Sequence, residues 1–91
     1  MTTELESQRG QQWFARLVGM AMDRDYGVDL RSAMDAEPDA ILSLLRDGLG
    51  AKTSPGDVSR GIAAHFDLGS IPADADEGVR RKVRMTNGFK L

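Results

Sequence analysis

The chain has 91 residues, enough for one domain, and its 41% apolar and 29% charged residues are the balance of a folded protein. It contains no cysteine, which excludes disulfides, thiol catalysis and cysteine-based zinc sites. The net charge of −2 hides a sorted distribution: from Val79 onward stand Arg80, Arg81, Lys82, Arg84 and Lys90 with no acid, and the rest carries seven cations against all fourteen acids.

The first apolar period predicts a helix over residues 7–22, an N-terminal amphipathic element. Trp13, Leu17, Met20 and Ala21 share one face, and Phe14 and Val18 widen it. Two readings follow from so broad a stripe. The helix buries its large residues across the domain, or Trp13, Phe14 and Leu17 form a protein interface, including one between two copies of the chain. Asp23, Asp25, Gly27 and Asp29 predict a break, followed by a short helical turn over 30–34. The three aspartates lack the glycine and the terminal glutamate of a calcium loop, so no metal site is expected.

Pro38 suits the first turn of the next helix, which contains Ile41, Leu42, Leu44, Leu45 and Leu49 and is expected to be central to the core. Gly48 and Gly50 are expected to stop it. Ser54-Pro55-Gly56-Asp57 is a start signal: a capping hydroxyl, a proline at the first helical position and an acid able to bond back. Val58, Ile62 and Phe66 form that helix's buried stripe. A last helix is predicted over 73–84, with Ala75, Val79 and Val83 inward and the arginines outward. Asn87-Gly88 then predicts a β-hairpin turn between two very short strands, packed on the body through Met85, Phe89 or Leu91.

Taken together, the chain reads as a single, mainly α domain: a small helical bundle with a short C-terminal hairpin. The order of elements over residues 38–91 resembles a winged helix-turn-helix domain. The resemblance implies nucleic-acid binding, with Arg80, Arg81 and Arg84 at outward recognition-helix positions and Lys90 on the wing; Lys82, on the other flank of that helix, is a further candidate contact. Asp74, Asp76 and Glu77 at the entry to that helix would be repelled by phosphate, and they keep open a protein-binding adaptor. Such an adaptor would use the N-terminal aromatic face or the basic helix against an acidic partner.

No catalytic constellation is found. His65, the one histidine, lies beside the buried stripe of its helix and reads as a boundary residue with one hydrogen bond. Gly48-Leu49-Gly50-Ala51-Lys52-Thr53 lacks the glycine directly before lysine that a phosphate loop needs. The expectation is a non-enzymatic regulatory domain with no cofactor. No apolar run approaches the ~18 residues of a membrane span, and the acidic start lacks the basic region of a secretory signal. Both favour a cytoplasmic protein with no membrane association.

Overall fold

The computed structural model describes residues 4–91, with side chains from residue 10 onward. Five helices follow one another: α1 (Glu4–Tyr26), α2 (Leu30–Ala36), α3 (Pro38–Gly50), α4 (Pro55–Phe66) and α5 (Glu77–Gly88).

Local chemistry sets most boundaries. α1 continues through Asp23 and Asp25 and stops at Gly27, whose φ of 68° places it in the left-handed region. Asp29 does not disrupt helix; it starts α2, its carboxylate accepting the Ser32 N–H at 2.8 Å. Pro38 opens α3 as expected. Ser54 caps α4 by accepting the Asp57 N–H at 3.2 Å. The Asp57 carboxylate lies 3.5 Å from Arg60 one turn on. Asp67, at φ 56°, closes α4.

The core joins Val18, Met22 and Tyr26 of α1, Ala33 of α2, Ile41 and Leu45 of α3, and Val58, Ile62 and Ala63 of α4. α1 packs most extensively on α4, with α2 and α3 completing the bundle. α3 is therefore one wall of the core and not its centre. Its helix also passes through Gly48, which does not stop it. A Cβ at Gly48 would stand 2.3 Å from Val58 Cγ2, so the missing side chain sets how closely α3 and α4 cross.

Three expectations need correction. In α1 the inward stripe is Val18, Ala21, Met22 and Tyr26, with Phe14 and Ala15 packed against it, while Trp13 and Met20 are 61% and 62% exposed. The helix carries two apolar stripes, and only one meets the bundle. The C-terminal β-hairpin is absent: among the described residues there is no strand, and 84–88 continue α5. Neither Asn87 nor Gly88 uses a positive φ. Asn87 is drawn into the helix by tertiary hydrogen bonds that outweigh the local turn preference. The last helix also starts at Glu77, four residues later than the periodicity predicts.

Candidate interaction surface

α5 begins where Asp76 accepts the Val79 N–H at 2.9 Å. One of the acids that would repel phosphate thus serves as a helix cap. Val79, expected to face inward, is exposed and Val83 is half-buried; the buried residue of that period is the polar Asn87. Asn87 is 1% exposed, against 41% for Val79. Its Nδ2 donates to Tyr26 O and to Gly69 O, both at 2.8 Å, and its Oδ1 accepts the Gly69 N–H at 2.9 Å. All the strong bonding capacity of the amide donor is used, which is the condition for burying it at no net cost.

This clamp ties α5 to the end of α1 and to the segment after α4. That segment is itself pinned by the Ile71 N–H, which donates to Asp25 O at 2.6 Å. Gly27 permits the approach, since a Cβ there would stand 3.1 Å from Arg84 Cβ and 3.3 Å from Ile71 Cδ1. Among the helices, α5 packs on α1 alone.

The predicted basic residues separate into two groups. Arg80 Nε donates to Ala75 O at 3.3 Å and Lys90 Nζ donates to Asp67 O, so both help hold their own neighbourhood together. Arg81, Lys82 and Arg84 are exposed. The ion pairs among the described residues are Arg24–Asp25, Arg60–Asp57 and His65–Glu37, and none involves α5. Among the described residues, the basic end and the acidic body thus make no direct ion pair.

Beside these cations lie two apolar residues that sequence reasoning placed against the body. Met85 is 58% exposed and Phe89, four residues on, is 86% exposed; only Leu91 of the three packs on the core. Arg81, Met85 and Phe89 follow one another at helical spacing down the outer face. Their exposure carried no sequence signal, because burial depends on what lies opposite.

The other predicted interface does not form one patch. Trp13 points outward and Phe14 packs toward the core, with Leu17 half-buried between them. Met20, seven residues from Trp13, shares its exposed stripe instead.

His65 occupies a boundary position, its Nε2 2.7 Å from Glu37 Oε2, linking the end of α4 to the α2–α3 junction. The aspartates of the first break serve other ends. The Arg24 side chain, by hydrogen bond, holds the Asp25 carboxyl below its usual range, and bonds from Ser32 do the same for Asp29. Among the described residues no three His, Asp or Glu side chains converge on a point that could hold a metal. No described helix is long and apolar enough to cross a membrane. No protein family matches this chain, and no curated protein or solved structure is detectably similar to it.

Proposed function

We propose that this chain is a small helical adaptor that binds an acidic protein partner through the outer face of α5. The observation that carries this reading is one of placement. In a chain with an excess of acids, Arg81, Lys82 and Arg84 have no ion pair among the described residues, and they flank an exposed Met85 and Phe89. Arginine, methionine and aromatic side chains are the types enriched in protein interfaces. Covering a side chain as exposed as Phe89 is worth on the order of 1.5–3 kcal/mol, enough for an anchor. The cations would speed encounter and set orientation.

Nucleic-acid binding is the second reading, favoured by the same three cations, which have no ion pair among the described residues. The winged-helix resemblance now rests on element order, since α5 is backed by α1 and not by α4 and there is no strand among the described residues. With Arg80 and Lys90 engaged within the chain, three phosphate contacts would give a salt slope of about −2.7 on duplex DNA.

The test uses the intact protein and two double variants, Met85→Ser with Phe89→Ser, and Arg81→Ala with Arg84→Ala. Each is used for affinity capture from the native host with nuclease present, and for anisotropy of labelled random duplex at about 50 and 200 mM salt. A protein retained by the native chain and lost by both variants supports the adaptor. Duplex binding that survives the apolar variant and fails in the arginine variant supports nucleic acid and overturns the adaptor. Capture that neither variant alters overturns both.

A further inference from the structure

The cleft between α1 and α3 is separate from the α5 surface. It encloses about 240 Å³, somewhat less than the sites that take drug-sized ligands and more than close packing leaves between neighbouring side chains. Phe14 and Met34 form its walls with Leu42 and Leu45 of α3. Leu42 is 38% exposed, so apolar surface continues to the mouth. Behind the cleft, Phe14 packs against the core.

The polar lining comes from both helices, Gln11 and Gln12 of α1 and Arg46 of α3, and Arg46 is its one charged member among the described residues. Arg46 is exposed and, among the described residues, has no carboxylate partner. Leu42 and Arg46 are one helical turn apart, so the guanidinium stands directly beyond the apolar wall. A guanidinium presents a planar pair of N–H donors that fits a carboxylate. An apolar chamber with one cation at its lip is complementary to an apolar body ending in a single negative charge.

We propose that this cleft binds a small amphipathic monocarboxylate, of the size of a medium-chain fatty acid, with its apolar part between α1 and α3 and its carboxylate on Arg46. The Gln11 amide supplies a further donor at the mouth. Anions without an apolar part are not expected to bind, because the chain as a whole is acidic and Arg46 is exposed to solvent.

The test is calorimetry and methionine-methyl NMR on the intact protein with octanoate, octanol and butyrate. Met34 lines the cleft, whereas Met85 on α5 is an internal control. Octanoate should bind one to one and move the Met34 methyl but not that of Met85. Arg46→Ala should weaken octanoate at least tenfold and leave octanol unchanged, with Arg46→Lys between the native chain and Arg46→Ala. Ala15→Phe should fill the cleft and abolish binding. Should that variant not fold, the Arg46 pair and the Met34 shift decide alone. Octanoate and octanol binding equally well, shifts shared by Met34 and Met85, or no saturation at millimolar octanoate would each overturn the proposal.

Discussion

The side chain of Asn87 and the peptide of Gly69 bond to each other as two strands of a sheet do. Nδ2 donates to Gly69 O at 2.8 Å and the Gly69 N–H donates to Oδ1 at 2.9 Å. One amide in a helix thus takes the place of a strand, and the third bond, to Tyr26 O, fastens the pair to α1. Asn87→Ala should destabilise the chain by about 1–3 kcal/mol, because Tyr26 O loses its donor in a buried setting. Asn87→Asp should cost more, since a carboxylate would face two carbonyl oxygens with nothing to donate. Urea unfolding followed by circular dichroism measures the loss. Amide exchange in the Asn87→Ala variant should show α5 less protected than α3 and α4; equal protection would refute the clamp.

The crossing of α3 and α4 gives a second expectation. Gly48→Ala puts a methyl 2.3 Å from Val58 Cγ2, and Val58 is buried and branched at Cβ, so it cannot swing aside freely. The cost should be about 1–3 kcal/mol. Gly50→Ala meets nothing within 4 Å and should be near neutral. Adding Val58→Ala to Gly48→Ala should recover part of the loss, a non-additivity that a double-mutant cycle on urea midpoints would read directly. Strict additivity would place the strain elsewhere.

Legibility in the sequence followed the range of the interaction responsible. Pro38 and Ser54-Pro55 act on their own helix ends, and α3 and α4 begin where they indicate. The mainly helical architecture rested on apolar spacing, which is also local. Asn87-Gly88 reads locally as a turn, but its fate depends on Tyr26, sixty-one positions away, and on Gly69. Trp13 and Phe14 are not separable by period, since the apolar arc of α1 is broad and the elements packed on it, chiefly α4, select within it. At the candidate surface the charge was readable as composition. Which cations remain free was not, because Arg80 and Lys90 are engaged by backbone carbonyls that the fold brings within reach.

Asp29 makes stability depend on pH at the acidic end. Hydrogen bonds from Ser32 hold its folded carboxyl below the ordinary range, so this contribution is complete above about pH 4 and is lost as pH falls through the lower folded value. Asp29→Ala should cost about 1 kcal/mol at neutral pH, typical of a lost cap. The difference from the native chain should narrow below about pH 4. Asp29→Asn should keep most of the neutral-pH stability while flattening the acid limb. Melting temperatures taken between pH 3 and 7 would show it, and parallel profiles for all three proteins would refute the assignment.

Ser59 runs against the usual direction. It is fully buried in α4, and its Oγ has no hydrogen-bond partner among the described residues. A hydroxyl in that position has lost water and gained nothing. Ser59→Ala should therefore stabilise the chain, by roughly 1 kcal/mol, and improves helix propensity as well. A lower urea midpoint in this variant would mean that the hydroxyl has a partner after all.

The clamp on Asn87 has a chemical corollary. Asparagine followed by glycine is the pairing in which the next backbone nitrogen most readily attacks the side-chain amide carbon, expelling ammonia and leaving a succinimide that water opens to aspartate or its isomer. The attack needs the amide to rotate back onto the Gly88 nitrogen, and three hydrogen bonds to Tyr26 and Gly69, both outside α5, deny it that freedom. Each chain therefore ages at this residue only while α5 is detached. The product carboxylate cannot rebuild the donor side of the clamp, so a brief opening becomes a permanent mark: a rise of one mass unit that accumulates with time spent open.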